Sequence, residues 1–243
     1  MNLVLDIGNT RTKVAIFGDG QLKYYTTFSK ITVDHMARLI DQQGMVHRAI
    51  VAATGTFSDE VKGWLQQNLS CFLQLNADLK FPFQIKYQTR HTLGNDRIAD
   101  VAGAQVIFPQ KNCLVIDAGT AITYDLIDKE GIYWGGNISP GISMRFQALH
   151  TFTQKLPLIH AEGEIPPVGY STETAIRSGV VMGVIYEIER YIGELAGQYD
   201  DLQVLLTGGD AVFLADKINY PIFADEFLVL KGLNRILEYN AHT

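Results

Sequence analysis

Two segments separated by about half the chain carry the same pattern. Leu3-Val4-Leu5-Asp6-Ile7-Gly8-Asn9-Thr10 and Leu114-Val115-Ile116-Asp117-Ala118-Gly119-Thr120 each lead β-favouring apolar residues into an aspartate, a spacer, a glycine and a nearby threonine. A second apolar run follows each, Val14-Ala15-Ile16-Phe17 and Ile122-Thr123-Tyr124-Asp125-Leu126-Ile127. Apolar runs around a polar, glycine-bearing turn predict a β-hairpin. Duplication of such a unit within one chain predicts two related domains with a cleft between them.

The remaining pattern mixes strands and helices. Arg48 to Ala53 predicts a strand, and residues 32–43 and 58–69 have helical spacing, the second opened by Ser58 as N-cap. Asp96 to Phe108 predicts a helix that starts beside the turn Gly94-Asn95. Thr172 to Gly197 predicts a long helix with an apolar stripe through Ile176, Val180, Val184 and Ile188. Val204-Leu205-Leu206 reads as a buried strand ending at Thr207-Gly208-Gly209-Asp210, and Gly131 to Trp134 as a strand entering a glycine-rich shaped loop that extends to Gly141. The weakest boundary is near Pro109-Gln110-Lys111-Asn112, which predicts domains at residues 1–110 and 111–243, the final helix 231–240 being placed to pack back on the first.

Composition narrows the class of function. The chain has 243 residues, 47% of them hydrophobic and 19% charged, which fits a globular protein and excludes a mainly disordered or collagen-like one. Twenty basic residues against 26 acidic ones give a net charge of -6, so no global positive field gathers nucleic acid. No stretch approaches the roughly 18 apolar residues of a membrane span. The only cysteines are Cys71 and Cys113, far apart, which predicts no disulfide framework and a reducing cytoplasm.

The hairpin turns carry the chemistry. In Asp6-Ile7-Gly8-Asn9-Thr10-Arg11-Thr12-Lys13, glycine lets a ligand approach the backbone, the hydroxyls donate, and Lys13 answers phosphate charge. Asp6 repels a phosphate directly but holds Mg²⁺ or its waters. An Asx-type turn explains either hairpin taken singly; the repetition favours two turns gripping one nucleotide phosphate tail. In the second, Asp117 is placed for a cation and Thr120 for a phosphate. The chain contains neither Gly-x-x-x-x-Gly-Lys-Ser/Thr nor Gly-x-Gly-x-x-Gly, so a nucleotide must be held by the hairpins themselves.

Asp6-Ile7-Gly8-Asn9-Thr10, Gly94-Asn95-Asp96-Arg97, Asp117-Ala118-Gly119-Thr120-Ala121, Gly135-Gly136-Asn137-Ile138-Ser139-Pro140-Gly141 and Thr207-Gly208-Gly209-Asp210 occur in the order seen in type III pantothenate kinases, and the chain resembles that family over nearly its whole length. The resemblance implies an α/β fold of two ribonuclease-H-like domains of the acetate and sugar kinase/Hsp70/actin superfamily, with an interdomain ATP cleft. It implies ATP-dependent phosphorylation of pantothenate at the first step of coenzyme A synthesis, by a homodimer that uses Mg²⁺ or another divalent cation and K⁺ or NH₄⁺. By the same resemblance Asp6 to Lys13 (Asp6, Ile7, Gly8, Asn9, Thr10, Arg11, Thr12, Lys13) and Thr120 contact ATP, Asp96 is the proton acceptor, and Asp117 holds the monovalent cation. Tyr87, Gly94, Asn95, Asp96, Arg97 and Thr172 line the pantothenate site, Thr172 near the dimer interface.

Other readings of the same residues stand beside these. Asp96 at a helix start also suits a cap. Arg97 suits either the substrate carboxylate, a phosphate, or a salt bridge supporting its loop. Tyr87 alone reads as a half-buried strand residue, and Thr172 as the N-cap of the long helix. Another small-molecule phosphotransferase, or a non-catalytic ATP-binding transcriptional regulator, shares the same turns; the acidic balance and the intact Asp96 count against the regulator.

Overall fold

A computed structural model describes residues 1–8 and 11–241. The chain divides into two compact units: Met1–Pro109 with Gly131–Tyr133 and the residues from Phe227 on, and Gln110–Glu130 with Trp134–Glu226.

In the first unit, β1 (Asn2–Ile7), β2 (Thr12–Gly18) and β3 (Gln21–Phe28) form an antiparallel meander, and β4 (Arg48–Ala53) and β5 (Cys71–Gln74) extend it in parallel, in the order β3-β2-β1-β4-β5. Helices α1 (Val33–Gln43) and α2 (Asp59–Asn68) make the crossovers. They cover one sheet face, where Leu3, Leu5, Ile7, Val14 and Ile16 pack with Met36, Leu39, Val61 and Leu65. Burial on both faces explains why β1 reads as a continuous apolar run broken only by half-buried Asp6. Thr32 caps α1 by accepting the His35 N–H at 3.3 Å. Ser58 sits at the N-cap of α2, but its side chain makes no capping hydrogen bond. The short β6 (Gln84–Ile85) and α3 (Asn95–Ile107) follow.

The second unit repeats the plan. β7 (Cys113–Ala118) pairs antiparallel with β8 (Ala121–Ile127), next to which lies β9 (Ile132–Pro140); after α4 (Ile142–Phe152) and α5 (Thr172–Ala196), β10 (Gln203–Thr207) joins β7 in parallel. Then α6 (Ala211–Ala215) leads to β11 (Phe223–Ala224), parallel to β10. β7 therefore lies between an antiparallel and a parallel neighbour, as β1 does. The buried stripe of α5, with Val181, Val184, Ile188 and Ile192, packs against Leu114, Ile116, Ile122 and Tyr124.

The expected glycine-rich loop over residues 133–141 is instead strand through Pro140. Glycine there serves close approach: a side chain on Gly136 would collide with the Tyr124 carbonyl. The first residues of β9, Ile132 and Tyr133, also take β6 as a parallel neighbour.

Helix α7 (Leu228–Ala241) belongs to the first unit and packs on α3. A side chain on Gly232 would meet the Ala99 carbonyl, and one on Gly103 the Leu228 carbonyl, so the two backbones touch. Gly232→Val is expected to cost about 1–3 kcal/mol through overpacking. Thermal melts check this; an unchanged unfolding midpoint would count against the contact.

Both cysteines are free. Burial pushes the Cys113 thiol up to about 12, while Cys71 is partly accessible. Alkylation at pH 8 is expected to modify Cys71 and to reach Cys113 only in denaturant, which mass spectrometry of the labelled peptides reads out. Among the described residues no helix is long and apolar enough to cross a membrane.

Candidate active site

The first hairpin sets one edge of the site. Asp6 on β1 pairs across to Lys13 on β2, and Ile7 to Thr12. Strand alternation puts Asp6 and Lys13 on one face and Ile7 and Thr12 on the other. Lys13 Nζ lies 3.9 Å from Asp6 Oδ2. Ile7 and Thr12 are only 5% and 4% exposed, so the Ile7 side chain serves the core and its backbone serves the turn. The Ile7 carbonyl accepts the N–H groups of Thr54 and Gly55 at 3.0 and 3.3 Å, tying the end of β1 to the end of β4. The Gly8 N–H donates to the Arg11 carbonyl at 3.1 Å, joining the chain just past β1 to the chain just before β2; Arg11 is exposed. Asn9 and Thr10, both expected at the ATP phosphates, lie outside the described residues.

The start of α3 supplies the second carboxylate. Gly94 is the N-cap in extended conformation, and Asn95, Asp96 and Arg97 make the first turn. Asp96 is therefore inside the helix rather than at its cap, and its Oδ1 accepts the Arg97 N–H at 2.8 Å. Asp96 and Asp6 share one electrostatic environment. Burial raises the Asp6 carboxyl above its ordinary value; Lys13 opposes this, and the charge of Asp96 adds to it. Arg97 is 4% exposed, with its guanidinium 5.5 Å from the centre of the Tyr87 ring, a stacking contact that holds Tyr87 just after β6.

In the second unit, three turns meet. Half-buried Asp117 near the end of β7 pairs with Thr207 at the end of β10. Gly208 then adopts φ +96°, and a side chain there would collide with the Asp117 carboxylate and the Ala118 carbonyl, so only glycine fits. The Asp210 N–H donates to the Ala118 carbonyl at 2.9 Å. Burial raises the Asp210 carboxyl. Across the β7–β8 turn, Gly119 N–H donates to the Ala121 carbonyl and Gly141 N–H to the Thr120 carbonyl, each at 3.0 Å, leaving Thr120 exposed. Gly141, the N-cap of α4, thereby supports the turn; its place in the Ser139-Pro140-Gly141 run was the only sequence signal for that role.

The structure gathers Asp6, Lys13 and Asp96 in one unit, with Tyr87 stacked on Arg97, and gathers Asp117, Thr120 and the Thr207–Asp210 turn in the other. Thr172 is the first residue of α5, not its cap: Ser171 accepts the Thr174 N–H while the Thr174 hydroxyl accepts the Ser171 N–H. Exposed Thr172 lines a mainly apolar groove between α4 and α5 with Leu149, Phe152, Leu156 and Ile176.

Among the described residues no cluster of three acidic, histidine or cysteine side chains forms a ready cation cage. Asp6 fits a different arrangement. Its buried charge is incompletely balanced by Lys13, which suits a divalent ion held by one carboxylate, water and phosphate oxygens.

Solved structures place this architecture. A glucokinase from an Antarctic psychrotroph superposes with a TM-score of 0.59 at 12% identity, over 98% of each chain. A Campylobacter jejuni protein with the working name of a Baf family transcriptional activator gives 0.62 at 24% identity, over 99% of this chain and 100% of that one. At such identities the likeness concerns the fold alone, a phosphotransferase-like arrangement of two mixed α/β units that each open on an aspartate-glycine hairpin. The family profile for type III pantothenate kinase matches residues 2–194. The type III pantothenate kinases of Phocaeicola vulgatus and Bacteroides fragilis are 46% and 47% identical over 240 residues, covering 99% of this chain and 99% and 98% of theirs. The chain belongs to the type III pantothenate kinase family.

Proposed function

We propose that this enzyme transfers the γ-phosphoryl group of ATP to the primary hydroxyl of pantothenate, giving 4′-phosphopantothenate and ADP at the first step of coenzyme A synthesis. The observation that supports this reading is the grouping of Asp6 and Lys13, 3.9 Å apart, with Asp96 close enough for its charge to act on the Asp6 carboxyl. Phosphoryl transfer depends on positioning and charge screening more than on covalent help from the protein.

Asp96 accepts a hydrogen bond from the substrate hydroxyl and takes its proton as the new oxygen–phosphorus bond forms. The bond from the γ-phosphorus to the β,γ-bridging oxygen breaks, and ADP leaves with the electron pair. Lys13 offsets charge on the phosphate tail, and the exposed Arg11 offers donors to it. Asp6 would hold a divalent ion such as Mg²⁺ through its waters; when bound, that ion screens the phosphate oxygens. Thr120 contacts the nucleotide, and Asp117, beside the Ala118 carbonyl, offers hard oxygen donors to K⁺ or NH₄⁺. Tyr87, Gly94, Asn95 and Arg97 border the pantothenate site. We also assign a homodimer in the cytoplasm, with the α4–α5 groove bearing Thr172 near the subunit contact.

ADP release with Mg²⁺, K⁺ and alternative alcohol acceptors tests the acceptor. The expected result is release that requires pantothenate; equal release with glucose would replace this reading by a sugar kinase.

A further inference from the structure

One side chain in the second unit gathers groups from three elements around itself. Glu187, midway along α5, is half-buried with its side chain 25% exposed. Its Oε1 accepts hydrogen bonds from Tyr124 Oη of β8 at 2.7 Å and from Ser139 Oγ near the end of β9 at 2.5 Å. Its Oε2 accepts from Arg145 Nη2 of α4 at 2.6 Å. Arg145 turns back on the same corner: Nε donates to the Pro140 carbonyl at 2.7 Å and Nη2 to Ser139 Oγ at 3.3 Å. A single carboxylate thus fixes the end of β9, the first turn of α4 and the middle of β8.

The electrostatics agree with the geometry. Desolvation would raise the Glu187 carboxyl, but the bonds from Ser139, Arg145 and Tyr124 outweigh it and hold the group below its ordinary value. Burial, with the Glu187 bond second, raises the Tyr124 phenol, which keeps it a donor. Tyr124 is 1% exposed, so loss of its acceptor would leave a buried hydroxyl unsatisfied.

The corner held this way is Ser139-Pro140-Gly141, and it presses on the second hairpin turn. Gly141 N–H donates to the Thr120 carbonyl at 3.0 Å, and a side chain on Gly141 would collide with the Gly119 and Thr120 carbonyls. Tyr124 lies on the strand that leaves that turn. A shift of the corner must therefore shift the turn.

We propose that Glu187 is a positioning residue for the nucleotide: by joining Tyr124, Ser139 and Arg145 it holds the corner that sets the Gly119–Thr120 turn. This rests on the assignment of that turn to ATP given above. In Glu187→Gln the shape survives, but an amide N–H₂ must face either Arg145 or the Tyr124 and Ser139 hydroxyls, so one side loses its acceptor. Ser139→Ala removes one bond and leaves the others.

Binding of a fluorescent ATP analogue to the full-length enzyme, KM for both substrates and thermal melts test the role. The expected result for Glu187→Gln is a loss of ATP affinity of about 3–30-fold, with KM for pantothenate changed by less than about two-fold. Ser139→Ala is expected to shift ATP affinity in the same direction and by less. The double variant should lose less than the product of the single losses, because both act through one network. Equal rises in both KM values, or unchanged ATP affinity in folded Glu187→Gln and Ser139→Ala, would overturn the positioning role. Wild-type enzyme that binds no ATP analogue would overturn the nucleotide assignment itself, and the inference with it.

Discussion

Asp96→Asn is expected to reduce turnover by about 10²–10⁴-fold, the usual scale for a positioned acid or base, while ATP binding stays close to that of the wild type. The substitution is nearly isosteric and keeps an oxygen able to accept the Arg97 N–H, as Asp96 Oδ1 does at 2.8 Å, so the first turn of α3 should persist. What it removes is the carboxylate that takes the proton from the attacking hydroxyl. Analogue binding and single-turnover kinetics separate the two effects. Near-normal turnover in a folded variant would take Asp96 out of the proton-accepting role. Weakened ATP binding with unchanged chemistry would move Asp96 to the nucleotide.

Asp6→Asn is expected to do two opposite things: lower turnover by about 10²-fold or more, as loss of a key electrostatic contact to the reacting phosphate does, and raise thermal stability. The first follows from the loss of the acid placed for the divalent ion. The second follows from burial, which raises the Asp6 carboxyl, an effect to which Asp96 adds and which Lys13 only partly offsets. Because the folded value lies above the unfolded one, the native state holds this proton more tightly, and stability falls as pH rises through that interval. The ionised group therefore costs stability at neutral pH, and asparagine removes the cost. A higher unfolding midpoint than the wild type is the expected result at neutral pH. The gain should be present at pH 7 and shrink below the carboxylate range. Lower stability at neutral pH would show that the Lys13 attraction outweighs the burial of Asp6. Retained activity would detach Asp6 from the phosphate site.

Features with a local signature were legible before the fold was known. Apolar runs around a glycine-bearing turn announce the β1–β2 and β7–β8 hairpins, and β4 falls on Arg48–Ala53 as its apolar run requires. The helix expected from Asp96 to Phe108 runs Asn95–Ile107, and the long one Thr172–Ala196. β3 has no such signature because Gln21–Phe28 is half polar with no fully buried residue, and β9 because its glycines resemble a loop until the Tyr124 backbone is placed beside Gly136. α4 likewise has no local signature, since it starts at a glycine N-cap, without a side chain to announce it.

The site divides in the same way. Asp6, Lys13 and Asp117 lie at strand ends beside hairpin connections, and Thr120 in one, all of which sequence alone describes. The shared environment of Asp6 and Asp96 and the four-residue network around Glu187 join residues far apart in the chain, and the contact of Arg97 with Tyr87 crosses from a helix to the segment after β6, so no periodicity announces them. Glu187 shows the difficulty well. By spacing it belongs to the apolar stripe of α5, yet it turns its carboxylate to a serine, a tyrosine and an arginine from other elements.

If the Asp6, Lys13 and Asp96 group serves phosphoryl transfer from ATP to pantothenate, the phosphorylated product must form. Mass-spectrometric detection of the product, with Mg²⁺ and either K⁺ or Na⁺, tests it most directly. 4′-Phosphopantothenate and ADP are expected in equal amounts, formed faster with K⁺. Folded enzyme that forms no 4′-phosphopantothenate under any cation condition would contradict it.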